Sequence, residues 1–305
     1  MKSQSQAYIY GIAAVLMWST VATAFKIALR YLSPLQLVAL ASFNSTLVLM
    51  VILLFQGKLH LTWHYLKTHS RYYFLLGLLN PFGYYLILFK AYDLLPAQQA
   101  QPLNYTWAIT LSLMAVPILG HKLHRYDIGA MLFGYLGAVV IATKGDLLTL
   151  HFQSPLGVTL ALLSTLFWSG YWIINRRRQD EPVAALLASF LLSLPVTWIC
   201  CLSFDGFPSI RWQGWAGSAY VGFFEMGITF VCWIIALKKT EKTARISNLI
   251  FISPFLSLYF IAKLLGEPIA PATYIGLILI IAGLIIQQYG TRKTSIRRSK
   301  SQIAG

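Results

Sequence analysis

The octapeptide FFEMGITF, residues 223–230, holds the carboxylate of Glu225 at the centre of an apolar run. A charge at the middle of a membrane helix costs about 2.5–3.5 kcal/mol on insertion scales. Two chemistries justify that cost. A protonated Glu225 donates a hydrogen bond that ties its helix to a neighbour, or the group changes charge during a working cycle as a proton-coupling or cation-sensing site. Intramembrane carboxylates generally mark pathways, which makes Glu225 the proton-coupling candidate. Thr229 and Cys232 follow at i+4 and i+7, so on a continuous helix this mildly polar stripe must face other protein.

Aromatic and amide side chains recur at helical spacing in other apolar runs. Trp18 and Ser19 lie mid-run, while Trp168, Tyr171 and Trp172 share one face at i, i+3 and i+4. Asn104 and Trp107 share another face, with Tyr105 beside them. Such walls bind planar or amphipathic solutes by stacking and cations by cation–π contact, although any one aromatic residue serves equally as packing. In LLNPFGYY, Pro81 cannot donate to the carbonyl of Gly77, so the run breaks with Asn80 at the break and Tyr84 one turn on. Pro102, Pro195 and Pro254 interrupt further runs. Broken helices are tolerated where neighbours or a wet cavity satisfy the backbone, and Pro81, Pro102 and Pro254 are the hinge candidates.

The segment PAQQAQPLNYTW crowds Gln98, Gln99, Gln101 and Asn104 together. That is too polar for a lipid-facing surface, so some of these amides face the interior, and Gln101 joins the substrate-binding candidates. Arg245 and Asn248 open a later run and are placed to counter a substrate carboxylate, although Arg245 reads more simply as a positive-inside anchor. Lys26 and Lys90 lie near run ends and can snorkel, Lys90 beside Asp93.

These residues require a membrane scaffold. The chain is 57% hydrophobic and 11% charged, with a mean hydropathy of +0.65, against roughly 25% charged residues in soluble domains. Ten runs are long enough to cross a bilayer: 7–29, 34–55, 71–93, 97–118, 126–143, 155–176, 183–203, 213–237, 244–264 and 271–290. The expected class is an all-α polytopic membrane protein. The first run lacks a small-residue cleavage site and reads as a span rather than a removed signal peptide. With the N-terminus inside, the inner segments carry eighteen Lys and Arg, among them Arg176, Arg177, Arg178, Lys122 and Lys242, whereas the outer connections carry Arg30, Lys144, Arg211 and Lys263. The positive-inside rule then puts both termini in the cytoplasm, with the chain in the cell (inner) membrane.

The net charge of +15 therefore follows topology, and no nucleic-acid motif accompanies it. The basic tail GTRKTSIRRSKSQIAG reads as a solvated anchor in contact with anionic lipid. Cys200, Cys201 and Cys232 have no metal or disulfide spacing. No GxxxxGK[ST] motif is present, so neither direct ATP drive nor a cofactor is expected. His60, His64, His69, His121 and His124 fall in two inner connections and His151 in an outer one. An intramembrane enzyme needs a nucleophile with its base, or clustered metal ligands, within the spans.

The two halves of the chain look alike. LMWST resembles LFWSG, matching Trp18–Ser19 to Trp168–Ser169, and Gly120, Gly129 and Gly137 match Gly266, Gly276 and Gly283. Each half holds five spans, an odd number, so the halves insert with opposite orientation. The expected organisation is two inverted five-helix repeats, 1–148 and 149–290, followed by a basic cytoplasmic tail, 291–305.

On these motifs the chain resembles the drug/metabolite transporter superfamily, in its ten-helix EamA-type branch, over roughly residues 7–290. The LLGEPI segment before the last span is similar to that family's, and LNYTWAITLSLMAVPILG resembles the fourth helix of its aromatic amino acid exporters. The resemblance implies a central cavity lined by spans one, three, four, six, eight and nine. It also implies a secondary transporter that exports small metabolites such as amino acids by alternating access. Family halves often carry Gly-Glu before their final span; Gly266–Glu267 keeps it and Gly120–His121 does not, without obvious bearing on transport. Proton antiport through Glu225 and facilitated diffusion both fit. The alternatives are an importer or uniporter of another small amphipathic solute, an intramembrane enzyme, and a non-transporting scaffold, which needs neither the polar fourth span nor the broken third. The partners expected are a small solute, the bilayer and, in antiport, protons; the oligomeric state is open.

Overall fold

The computed structural model describes residues 3–120, 124–148, 152, 154–208, 211–240, 246 and 248–303, with the backbone alone beyond 290. Lys2, His121, Lys122, His151, Lys242 and Arg245 lie outside the described residues. Ten described helices are long and apolar enough to span a membrane: Gln4–Ala28, Pro34–Phe55, Ser70–Leu94, Ala97–Leu119, Arg125–Ala142, Pro155–Asn175, Pro182–Phe204, Trp212–Lys239, Asn248–Leu265 and Pro271–Gly290. They are numbered here as spans one to ten. Apolar side chains such as Ile9, Ile12 and Leu16 stay exposed on their outer sides, the pattern of helices set between lipid and protein.

Local chemistry fixes where the helices start and stop. Pro34, Pro155, Pro182 and Pro271 open spans two, six, seven and ten, where proline has no hydrogen bond to lose. Ser33 and Gln36 cap span two reciprocally, each side chain accepting from the other's backbone N–H at 3.1 Å. Spans four and nine both stop at a left-handed glycine, Gly120 at φ 68° and Gly266 at φ 69°.

The packing has twofold logic. Span one lies against eight and nine, span six against three and four, span two against seven, and span five along ten. Exchanging the halves returns the same set of neighbours, which is what an inverted repeat requires. At the crossing of spans five and ten, Gly137 meets the backbone of Gly276, and Gly283 meets the backbone of Ala130. Small residues allow this close approach in lipid, where association rests on packing rather than on transfer from water. The register pairs Gly137 with Gly283, but it pairs Ala130 with Gly276. The match of Gly129 to Gly276 is one residue out, and Gly129 faces Ile286 instead.

One face of the bundle holds Lys58, Lys67, Arg71, Arg125, Arg176–Arg178, Lys238 and Lys239. This basic face carries a helix that the hydropathy pattern did not announce, Leu59–Thr68, with Thr62 and Tyr65 buried and Trp63 exposed. It docks on the start of span seven. The Tyr65 hydroxyl accepts from the Glu181 N–H at 3.0 Å, Thr62 donates to the Ala184 carbonyl at 3.3 Å, and Lys58 lies 3.4 Å from Glu181. Beside it, Tyr73 donates to Asp180, which also pairs with Arg178 at 2.6 Å. Burial opposes ionisation of Asp180, but the bonds from Arg178 and Tyr73 outweigh it and hold this carboxyl below the usual carboxylate range. The tenth helix continues past its span to Ile303, so the backbone of the basic tail is helical as far as it is described.

Candidate functional site

Span eight is not one continuous helix. Trp212–Tyr220 gives way to a wide π turn over Val221–Glu225, and the α-helix resumes at Ile228–Lys239. Gly227 leaves helical geometry at φ −120°, ψ −95°. The wide turn coincides with a close crossing: at Gly222 a Cβ would lie 2.7 Å from the Cβ of Asn44 on span two, well inside van der Waals contact. Glu225 closes the turn. Its Oε1 accepts from the Tyr85 hydroxyl at 3.1 Å, and the Trp18 indole hydrogen-bonds the same carboxylate. A carboxylate offers about four acceptor positions, so these two donors leave it unsaturated. Glu225 is part-exposed although it lies deep among spans one, three and eight. Thr229 faces other protein, as expected: it is buried, its hydroxyl donates to the Phe224 carbonyl and lies 3.6 Å from the Met17 sulfur on span one. The π turn and Gly227 interrupt the continuous helix on which that stripe was drawn.

Span three breaks at the matching place. At Gly77 a Cβ would lie 2.8 Å from the Cβ of Ser193 on span seven, and the wide turn Leu78–Gly83 follows. Asn80 is extended at φ −148°, ψ 116°, joined to Pro81 by a cis bond. Asn80 and Glu225 thus stand at equivalent positions of the two halves, each three residues past its crossing glycine. Asn80 is buried and hydrogen-bonds Tyr171, while its Oδ1 has no partner. One turn on, Tyr84 donates to Asn104 Oδ1 at 3.2 Å, and Asn104 Nδ2 donates to Ser164 at 3.0 Å.

The aromatic residues form a connected set. Trp168 has ring centroids within 4.6 Å of Tyr84, 5.7 Å of Tyr171, 5.9 Å of Trp172 and 6.3 Å of Trp107. In the other half Trp18 meets Phe230 at 5.9 Å and Trp233 at 5.4 Å. Phe230 in turn reaches Trp168 at 6.1 Å, linking the two Trp-Ser motifs through span eight.

The serines of those motifs have matching partners. Ser169 donates to the Trp107 carbonyl at 3.0 Å, whereas Ser19 donates to the Val15 carbonyl at 2.6 Å and lies 3.4 Å from the Ser253 hydroxyl. Each serine binds the first span of one half to the interruption in the fourth span of the other. Those interruptions are Thr106, between Ala97–Tyr105 and Trp107–Leu119, and the passage from the 3₁₀ turn Asn248–Ile252 into Ser253–Phe260. Tyr105 hydrogen-bonds Ser253 at the same junction. Pro254 lies in the first turn of the resumed helix. Pro102 instead lies within Ala97–Tyr105 and Pro195 within the unbroken Pro182–Phe204, so neither stands at an interruption.

On the face opposite the basic one, the polar start of span four is buried, with separate partners for Gln98 and Gln99. Gln98 Nε2 donates to the Pro268 carbonyl at 2.8 Å, and its Oε1 accepts from the Ala270 N–H at 2.8 Å and the Thr273 hydroxyl at 3.1 Å. In return Glu267 accepts from the N–H groups of Ala97 at 3.1 Å and Gln98 at 3.3 Å. The Gly-Glu segment is therefore one half of a reciprocal cap joining the starts of spans four and ten. Lys26 does not snorkel; it donates to the carbonyls of Tyr92 at 2.7 Å and Leu95 at 3.0 Å, capping span three. Lys90 pairs with Asp93 at 2.7 Å. Gln99 donates to the Ile141 carbonyl at 3.3 Å, and Gln101 is buried with an unpartnered Oε1. Asn248 is placed elsewhere: it is exposed and lines a cleft of about 240 Å³ with Phe251, Ile285, Gln288 and Tyr289, beside the tenth span.

Tyr85, Phe230, Ser164 and Ser253 complete these contacts, and none carries a motif. A serine next to Pro254 was a usable signal for Ser253; Tyr85 and Phe230 are ordinary span aromatics until their partners across the bundle are known. Among the described residues no three His, Cys, Asp or Glu side chains gather as metal ligands do.

The EamA-like transporter family model matches residues 5–143 and again 155–287. The uncharacterized transporter YoaV of Bacillus subtilis is 23% identical over 282 residues, covering 91% of this chain and 95% of its own length. The aromatic amino acid exporter YddG of Ancylobacter novellus is 26% identical over 247 residues, 78% of this chain and 82% of that protein. A probable amino-acid metabolite efflux pump of Escherichia coli is 22% identical over 297 residues, 93% and 95% of the two chains. A crystal structure with a TM-score of 0.68, 22% identical and covering 96% of this chain and 99% of its own, has the same fold.

Proposed function

We propose, on the premise that the chain belongs to the EamA-like transporter family, that it is a secondary transporter exporting small metabolites such as amino acids across the cytoplasmic membrane. Transport rather than enzymatic turnover is what the family and the relatives' names indicate. Two of those relatives are named an exporter and an efflux pump, which supports outward flux here. The positive-inside rule supports a cytoplasmic basic face with both termini on it.

The observation that carries the reading is Glu225, a part-exposed carboxylate at a helix break between inverted halves, held by Tyr85 and Trp18. In this reading Glu225 takes up and releases the coupling proton. The solute lies against the aromatic set of Trp18, Trp107, Trp168, Tyr171 and Trp172, near Ser19, Tyr84 and Tyr105 and the amides Asn80, Gln101 and Asn104. Alternating access rocks the halves about the breaks at Pro81 and before Pro254, and outward opening releases the Glu267–Gln98 and Lys26 caps.

Purified chain in proteoliposomes tests this by counterflow of a labelled amino-acid and metabolite panel. Saturable exchange of at least one solute is expected. No exchange across the panel by folded protein overturns the transporter reading.

A further inference from the structure

We infer that the site at the seam between the halves recognises an organic ammonium group, held against Glu225 between aromatic side chains, and that a solute carboxylate gains nothing there. The inference rests on the transporter reading and names the substrate class of the same site.

The charge census is the first support. Among the described residues Glu225 is the single Asp, Glu, Lys, Arg or His away from the ends of the spans. Lys26, the cation nearest in kind, is committed to the carbonyls of Tyr92 and Leu95. Among the described residues a solute carboxylate therefore meets no uncommitted mid-span cation and, near Glu225, a like charge. An ammonium group neutralises Glu225 in a medium where that attraction is little screened.

Acceptors without donors outnumber donors without acceptors among these site residues, the one unpartnered donor being the Trp172 indole N–H. Glu225 keeps acceptor positions open beyond Tyr85 and Trp18, and the buried oxygens Asn80 Oδ1 and Gln101 Oε1 have no partner. Buried oxygens without donors are uncommon in native structures, and N–H groups of a bound solute satisfy such atoms. Asn80 sits at the position of span three that matches Glu225 in span eight, so both breaks present an acceptor.

The walls suit a cation. Trp18 and Phe230 cross at 89°, Phe230 and Trp168 at 58°, and Trp168 and Trp107 at 87°. In an edge-to-face contact one ring's edge occupies a single face of the other, so each such pair leaves further ring faces uncovered. Trp18, Trp107 and Phe230 are part-exposed, leaving π surface available to a positive group.

The test uses the full chain in nanodiscs, titrated by tryptophan fluorescence with three probes sharing one carbon frame: phenethylamine, phenylalanine and 3-phenylpropionate. Empty nanodiscs correct for partition into lipid. Phenethylamine should bind at least tenfold more tightly than 3-phenylpropionate and no more weakly than phenylalanine. Glu225→Gln should lose at least tenfold for the amine and leave the acid unchanged, with Glu225→Asp recovering part of the loss. Equal binding of amine and acid, binding of none of the three, or wild-type amine affinity in Glu225→Gln overturns the inference. The wild-type series decides the matter even if Glu225→Gln does not fold. Phenylalanine counterflow with equal amine and acid affinities overturns this inference alone, whereas selective amine binding without flux of any solute supports it and overturns the transport reading.

Discussion

The hydroxyl of Tyr85 donates to Oε1 of Glu225 across 3.1 Å, joining the third span to the eighth. These spans are counterparts in the two halves, and each is broken just past a glycine that packs on a neighbouring helix. The mid-span carboxylate is therefore held by the helix whose own break presents Asn80. The site is built at the seam between the repeats, where any rocking of one half against the other must change this distance.

Tyr85→Phe keeps the ring and removes the donor. Unfolding in detergent should show a loss of about 1–3 kcal/mol, the range for a hydrogen bond to a charged or buried group. Counterflow should slow in the same variant. If neither changes, the bond has no part in holding the site.

Glu267→Ala removes the carboxylate that caps span four. Lost helix caps cost about 0.5–2 kcal/mol, and thermal unfolding reads that loss. The reciprocal cap also joins the starts of spans four and ten on the face opposite the basic one; if it holds that face closed, a cysteine at Ala270 should label faster with a water-soluble maleimide in the variant. Unchanged labelling would separate the cap from closure of that face.

Gly77→Val and Gly222→Val each place a branched side chain against a neighbouring helix. Overpacking of this kind costs about 1–3 kcal/mol, visible as a lower unfolding temperature. Gly170→Ala is the control: the nearest atom its Cβ would meet is Met114 Cε at 3.9 Å, so its stability should stay near wild type. Equal effects at all three positions would contradict the close crossings.

Asp180 gives a pH dependence with a definite sign. Its folded carboxyl is held below its unfolded value, so its contribution is present above the unfolded value, near about 3.9, and is lost as pH falls through the lower folded value. Wild type should therefore be more stable than Asp180→Asn near neutral pH, and the two should converge on acidification from about pH 5 to about pH 2. A gap that stays constant over that range would remove Arg178 and Tyr73 as the cause.

Much of the architecture was legible because lipid imposes it. Ten apolar runs, the excess of Lys and Arg on alternate connections and the Trp18–Ser19/Trp168–Ser169 repeat all follow from one-dimensional rules. The helix at Leu59–Thr68 was not legible, being short and only half buried. Pro81 announced its break, whereas the break at Glu225 has no proline and arises at Gly222, whose neighbour on span two is invisible in sequence. For the same reason Pro195 misled, since a proline can sit inside a span that neighbours keep unbroken, and in span four the interruption falls at Thr106 rather than at Pro102. Glu267 looked incidental to the site, since only the folded chain brings Ala97 and Gln98 onto its carboxylate.

The most direct test of the account is the pH dependence of counterflow in wild type and Glu225→Gln, reconstituted identically and checked for folding. The account predicts wild-type exchange that responds both to pH and to an imposed proton gradient, and a Glu225→Gln variant that has lost both responses. Wild-type pH dependence in folded Glu225→Gln would contradict it and leave the carboxylate a tie between helices.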